Sequence, residues 1–580
     1  MSEAKDESNE ISDSDGGGLR RSLKGLSFES NEDEHLIEEE TMEENEMDDL
    51  LEKTGFGAFH VLFVLLFGLI TASNTIGVLC VPFVMPVADQ ELAMSSRVKG
   101  GINAGLLAGM TGGTYVLGRL SDEYGRKKTM MVALLIMSLS YVVAAFSFHW
   151  IFFLFMATMA GVGAGGAIPP TLSYVSEFFS EKKRGPAMFA ILTFSDLGSV
   201  VVALLALVIM GNYLVKHDVN FYILFLHVNN WRLFILCCSL PPLLLLLPLF
   251  FVPESPSFLY HKKKFGGVMK ALKVITRVNK LCPCCRVRFY ALEKPGQDNG
   301  CSDTEQLEMD KKGSKKPTSS PSHARQGKNW ADNCCRVLGG YLYEFVSTTV
   351  HLYYSHLVRV TLLLHVMYFT LEFVYLGDTL WSPEFFKRIS ASVLVLPAPR
   401  NTTVTTETNL GGFYEDTVFV ALATMPGNIL SVLLTNVIGA RVLLVLSGAI
   451  ASLINFAMWL LPLEHGLFLV FSCVSSAVMM VTINSLGVMA TNLYPTSIRS
   501  TALGVQTAIG RIGALASNII YALLIDSYPN TLMLIASALL LVGSGIAVLL
   551  PMFYRKENRP LLFKWLAAGA HWCQQRRNKR

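Results

Sequence analysis

Charge is what this 580-residue chain has least of: Asp, Glu, Lys and Arg together make up 16% of it, against 52% hydrophobic residues. Soluble domains carry about 25% charged residues, and a mean hydropathy of +0.43 lies far on the apolar side. A water-soluble globular protein is thereby excluded. Also missing are the patterns of soluble catalysts. There is no glycine loop of the Walker type, no His/Glu metalloprotease spacing and no Gly-x-Ser-x-Gly elbow, so no enzyme and no cofactor are expected. A net charge of +3 is too small to call for a nucleic-acid partner. The first fifty residues lack an apolar stretch, so no signal peptide is expected there.

What is present is length without polarity. Apolar runs of roughly 20 residues, enough to cross a hydrocarbon core about 30 Å thick, are expected at about 57–86, 100–120, 129–148, 151–176, 187–211, 231–252, 358–380, 413–436, 440–463, 466–490, 500–525 and 530–553. Runs rich in Leu, Val, Ala and Met satisfy their backbone there as helices. The fold class that follows is an all-α integral membrane protein of twelve helices in two six-helix halves. The chain divides into an acidic tail at 1–55, a first half at 56–252, a central loop at 253–357, a second half at 358–553 and a basic tail at 554–580. Lys and Arg gather in alternate loops: Arg119, Arg126, Lys127 and Lys128 between spans 2 and 3, then Lys182, Lys183 and Arg184 between spans 4 and 5. The positive-inside rule puts these loops and both termini in the cytosol. None of the eleven cysteines falls in a loop on the far side, so no disulfide is expected.

Periodicity leaves a receptor, a channel and a transporter open, and motifs narrow the choice. The segment Gly118-Arg119-Leu120-Ser121-Asp122-Glu123-Tyr124-Gly125-Arg126-Lys127-Lys128 resembles the signature loop of the major facilitator superfamily. The resemblance makes Gly118, Asp122, Gly125, Arg126 and Lys127 a gating motif: glycines for a tight turn, an acid for a helix N-terminus, and two cations for carboxylates or lipid phosphates. Gly161 to Pro170, Ser176-Glu177-Phe178, Lys183-Arg184-Gly185, Asn230-Trp231-Arg232, Pro253-Glu254-Ser255-Pro256 and Leu493 to Arg499 extend the likeness. Together they are similar to the synaptic vesicle glycoprotein 2 and related-protein branch, akin to the organic cation and anion transporters. The likeness covers roughly 56–280 and 413–550. It implies alternating access about a central site.

The departures matter as much. Asn74 stands where the family commonly has an aspartate in helix 1, and Ala157 where helix 4 carries an arginine. The second-half loop Asn436 to Arg441 lacks its acid, and Asn492 replaces another. These losses oppose a proton switch of the family's kind.

An ionisable group at a span centre costs roughly 2.5–3.5 kcal/mol on insertion scales and signals function. Asp196 in span 5 and Arg511 in span 11 are such groups. Span 7 carries a stripe of Thr361, His365, Tyr368, Glu372, Tyr375 and Thr379, and the family likeness makes that span cavity-lining. With Asn74 these form the candidate substrate cavity. No metal site is expected, because Cys282-Pro283-Cys284-Cys285 lacks a paired ligand set; S-acylation or inert loop cysteines fit it better.

The function expected is transport of a small polar or organic-ion solute by a monomer in contact with membrane lipids. The alternative is a vesicle membrane protein that binds partners or nucleotides without transport. Two acidic dileucine patterns, ending at Leu36-Ile37 and Leu50-Leu51, fit sorting adaptors, which with the family likeness favours secretory or endosomal vesicles alongside the plasma membrane. Asn401-Thr402-Thr403 is the sequon of the far-side loop between spans 7 and 8. Glycosidase treatment is expected to shift the mass of the parent chain, and the shift is expected to vanish in Asn401→Gln; its persistence would put the span assignment in error.

Overall fold

The computed structural model describes residues 51–281, 353, 358–393 and 410–550, apart from 53, 56, 90, 212–220, 224–225, 263, 462–463 and 495–498. Leu36, Ile37, Leu50, the cysteines from Cys282 to Cys335, Asn401 and the basic tail lie outside the described residues. Leu51 lies inside them and is buried, which withdraws one leucine of the second dileucine pattern.

The first half comprises α1 (Ala58–Ala88), α2 (Ser96–Tyr124), α3 (Arg126–Ala144), α4 (Trp150–Ser176), α5 (Glu181–Met210) and α6 (Asn230–Phe251). Two short helices follow, α7 (Pro256–His261) and α8 (Phe265–Leu281), inside the stretch read as a central loop. The second half comprises α9 (Val358–Val393), α10 (Leu410–Ile438), α11 (Ala440–Leu460), α12 (His465–Leu493), α13 (Arg499–Leu524) and α14 (Pro529–Ile546). Between α5 and α6 a two-stranded hairpin, β1 (Phe221–Ile223) against β2 (Leu226–Val228), is added to the helical plan. Eleven of the described helices are long and apolar enough to cross a membrane.

The helix missing from that set is α2, and its composition explains why. Its 29 residues include Arg97, Lys99, Arg119, Asp122 and Glu123, and glycine takes the place of large apolar side chains. That glycine lets α2 and α4 meet backbone to backbone. A Cβ added at Gly113 would lie 2.0 Å from the Val162 carbonyl oxygen, and one at Gly165 would lie 2.0 Å from that of Met110. Contact this close suits a lipid medium, where van der Waals packing rather than water expulsion joins helices. Thr114 Oγ1 adds a hydrogen bond across the seam, donating to Gly165 O at 2.9 Å.

The two halves share a turn. Gly125 separates α2 from α3 with φ +110°, and Gly439 separates α10 from α11 with φ +95°. Both sit in the left-handed region that favours glycine. The long α9 runs thirteen residues beyond the expected end of span 7, through Pro383. Its extension carries Glu384, Lys387 and Arg388, each ion-paired, so side-chain pairing holds a turn that hydropathy reads as loop.

The seam supports a stability test. Gly113→Ala is expected to lower the unfolding free energy by about 1–3 kcal/mol, as overpacking does. Gly112→Ala, whose added Cβ meets nothing within 4 Å, is expected to be neutral. Thermal unfolding of the detergent-solubilised chain reads the difference, and equal midpoints for the two variants would contradict the close approach.

Candidate functional site

A cavity of about 340 Å³ lies between the two halves. From the first half it is lined by Thr71, Asn74 and Thr75 of α1 and Ser195, Asp196 and Ser199 of α5. The second half contributes Tyr375, Asp378, Thr379 and Ser382 of α9, Thr417 and Thr424 of α10, Asn455 of α11, Ser475 of α12 and Arg511 of α13. Phe83, Phe385, Phe386 and Phe468 add aromatic wall. Of the residues expected in the substrate cavity, Asn74, Asp196, Tyr375, Thr379 and Arg511 line it together.

Thr361, His365, Tyr368 and Glu372 do not, which corrects the reading of span 7 as one cavity-facing stripe. A stripe spaced four, three, four, three drifts by about 20° per heptad on a straight α-helix, so its two ends address different neighbours. The end of α9 nearer Val358 faces α13 and the end of α12. His365 Nδ1 pairs with Gln506 Oε1 at 2.8 Å and its Nε2 with Tyr353 Oη at 2.5 Å. Tyr494 Oη donates to Thr361 Oγ1 at 3.2 Å. Tyr368 is buried, and Glu372 packs on Gly510, where a Cβ would meet its Cγ at 2.8 Å.

Asp378 was not among the sequence candidates, because it falls between two members of the stripe. In the structure it lines the cavity and accepts a 2.6 Å hydrogen bond from Tyr521 Oη. Spacing by three, four and seven from Tyr375, giving Asp378, Thr379 and Ser382, is the signal that would have found it.

The cavity mixes hydroxyls with the carboxylates of Asp196 and Asp378 and the cation of Arg511. Asp196, 6% exposed, accepts one 2.5 Å hydrogen bond from Asn428 Nδ2. Asn428 is steadied in turn by Asn484 Nδ2, which donates to its Oδ1 at 2.8 Å and to Ser431 Oγ at 2.9 Å. Asn74 Oδ1 is buried and accepts no hydrogen bond. Thr75 and Ser195 hydroxyls pair at 2.7 Å across α1 and α5. Arg511 is the cavity's one cation among the lining residues described, and its charge acts on both Glu372 and Tyr375. Ala157 is buried in helix packing and does not line the cavity.

The far end is closed by ion pairs between the halves. Lys99 of α2, 3% exposed, lies 3.0 Å from Asp89 Oδ2 and 2.8 Å from Glu384 Oε2 of α9. Lys387 Nζ reaches the same Asp89 oxygen at 2.8 Å and Pro86 O at 2.6 Å. Arg388 joins Glu384 at 3.1 Å, Asp526 at 2.9 Å and Ser96 Oγ at 3.0 Å. Tyr414 Oη donates to Phe83 O at 2.9 Å beneath this layer. The sequence signal for this layer is the presence of cations in connections otherwise nearly devoid of them, beside Asp89, Glu384 and Asp526.

At the other end of the spans the motif from Gly118 to Lys127 knits the first half to itself. Arg126 pairs with Asp122 at 2.8 Å and Glu177 at 3.0 Å. The backbone N–H of Lys127 donates to Glu254 Oε1 at 3.0 Å, while Lys127 Nζ donates to the carbonyls of Phe250 and Val252 at the end of α6, both at 2.7 Å. Ser255 hydrogen-bonds Glu177. Gly118 faces Pro169 of α4 at van der Waals distance. The Asn230-Trp231-Arg232 motif serves the opposite face: Trp231 Nε1 and Arg232 donate to Glu91 at 2.6 and 2.5 Å, anchoring the α1–α2 turn.

A family model described as Major Facilitator Superfamily matches residues 65–398. Synaptic vesicle glycoprotein 2C of Homo sapiens is 22% identical over 611 aligned positions, covering 89% of this chain and 81% of that protein. Synaptic vesicle glycoprotein 2A of Rattus norvegicus is 23% identical, covering 87% and 78%. Among solved structures, the inward open xylose transporter XylE of E. coli superposes with a TM-score of 0.56 at 15% identity, covering 86% of this chain and 98% of that one. A D-xylose-proton symporter superposes with a TM-score of 0.57 at 15% identity, covering 85% and 97%.

The far-side pairs carry a pH expectation. Burial pushes the Asp89 carboxyl up, but Lys387 and Lys99 outweigh it and hold it below its ordinary 3.8. Asp526 is likewise held low against burial by Ser96, Arg388 and Lys99. A depressed carboxylate contributes stability above its unfolded value and loses it only as pH falls through the folded one, so closure should be flat from about pH 8 to 5. Labelling of Ser382→Cys by a membrane-impermeant maleimide from the far side is expected to be slow and pH-independent over that range. Lys99→Gln is expected to speed it roughly tenfold, the worth of a charged hydrogen bond. Labelling that accelerates steeply towards pH 5 in the parent would refute the assignment.

Proposed function

Since a model of the family covers more than half of its length, the chain belongs to the Major Facilitator Superfamily, and we propose that it carries a small polar solute, an organic cation or zwitterion, across the membrane by alternating access. The observation that carries this reading is the cavity itself. It lies between the two halves, and the carboxylates of Asp196 and Asp378 stand in it beside the unpartnered Asn74 Oδ1, while Arg511 offers a single anion-binding fork. Its volume of about 340 Å³ falls in the range of small-molecule sites.

The mechanism follows from which contacts join the halves. With Lys99, Lys387 and Arg388 paired, the far end is shut, and solute reaches the cavity from the cytosolic side. A solute ammonium drawn to Asp196 competes with Asn428, so binding bears on a hydrogen bond between α5 and α10. Both termini are cytosolic in this reading, and the membrane is that of a secretory or endosomal vesicle or the cell surface. The likeness to synaptic vesicle glycoproteins supports the vesicle.

Uptake into proteoliposomes across a panel of radiolabelled amines, amino acids, organic anions and neutral polyols is the test. Amines or zwitterions are expected to accumulate, anions and polyols not. Asp378→Asn and Arg511→Gln are expected to weaken the half-saturating concentration by roughly 10- to 100-fold. Solute binding without uptake would favour the binding-protein reading, and uptake confined to anions would overturn the charge assignment.

A further inference from the structure

The helix α8 is amphipathic, and only one of its faces is used. Val268, Ala271, Leu272, Ile275 and Asn279 are buried, at the three-, four- and seven-residue spacing of a single helix face. That face is pinned to the cytosolic start of α1, where Phe59 N donates to Asn279 Oδ1 at 2.9 Å. At its other end Gly267 lies beneath Leu259 of α7, and α7 carries Phe258, over which the Arg126 guanidinium sits at 5.6 Å. The helix therefore runs along the cytosolic ends of the spans, from the gating loop to the first span.

Its outer face mixes two kinds of side chain. Lys270, Lys273 and Arg277 are exposed, as is Lys264 just before the helix, and so are Phe265 at 57%, Met269 at 47% and Val274 at 38%. Residues 255–292 contain nine Lys or Arg and no Asp or Glu. A helix that faces only water has no use for an exposed Phe, Met and Val, and one that packs on an apolar partner has no use for four cations. A surface that is anionic outside and hydrocarbon within takes both.

We propose that the outer face of α8 docks on anionic phospholipid headgroups of the cytosolic leaflet, its cations against phosphate and carboxylate and its apolar residues at the acyl boundary. A cation near such a surface gains about 1 kcal/mol, roughly fivefold in affinity. Because the inner face holds α1 and approaches α7, the docked helix ties the gating loop and the entry of the first span to the leaflet composition.

The full-length chain in nanodiscs of phosphatidylcholine, with and without phosphatidylserine, provides the test, read as amide hydrogen exchange over residues 265–281. Exchange is expected to slow roughly fivefold or more when phosphatidylserine is added. The combined variant Lys264→Gln, Lys270→Gln, Lys273→Gln and Arg277→Gln should abolish that dependence while keeping the parent's thermal midpoint, since these side chains are all exposed. Equal exchange in both lipids overturns the proposal, as does a phosphatidylserine effect that survives in the variant. Protection already complete in phosphatidylcholine and removed by salt also overturns it, because the face would then be covered by an acidic protein segment.

Discussion

A lysine ammonium held between two carboxylates away from water cannot leave one of them without a replacement, since the effective desolvation penalty is several kcal/mol per ion. Lys99 is in that position between Asp89 and Glu384, which belong to different halves. The cavity, the extension of α9 and the seating of α13 all depend on it. Glu384 is oriented by the lysine and by Arg388, and Arg388 in turn holds Asp526 and the Ile525 carbonyl at the end of α13. Exchange between conformations therefore requires this set to part together, with water or solute taking over each charge.

The face that carries the Gly125 and Gly439 turns is built differently in its two halves. In the first, Lys127 gathers the terminal carbonyls of α6; in the second, Arg441 gathers those of Ala547 and Val548 beyond α14. Both follow a positive-φ glycine. The ion triad of Asp122, Arg126 and Glu177 has as its second-half counterparts Asn436, Ala440 and Asn492. The duplicated turn has thus kept its helix cap and given up its charges on one side, so among the described residues this ion triad stiffens the first half alone.

Much of this was legible in the sequence, and the limits have physical causes. Span number and the two-half plan follow from hydropathy, because lipid forces backbone satisfaction into local helices. The turn at Gly125 and the close packing near Gly161 to Gly166 follow from what glycine permits. The cavity was half legible. Asn74, Asp196, Tyr375 and Arg511 announce themselves as polar groups in apolar runs, whereas separating Glu372 from Asp378 needs the rotation of a helix to within a few tens of degrees. The partners within the far-side layer were not legible, only its unusual cations, since pairs such as Lys99 with Glu384 join residues 285 apart. The helices α7 and α8 were missed because lysine-rich sequence reads as loop when only hydropathy is counted.

The bond from Phe59 N to Asn279 Oδ1 spans 220 residues, and that distance has a meaning in time. The first membrane helix leaves the ribosome with its leading turn uncapped. Its cap is translated only after five more spans and the start of the central segment, a delay of ~10–40 s at ordinary elongation rates. During that interval the N-terminal end of α1 has Phe178 and Phe179 to pack against but lacks the Asn279 acceptor. The first half becomes a finished object only when a residue beyond its last span has been made, so its assembly unit is longer than its set of spans.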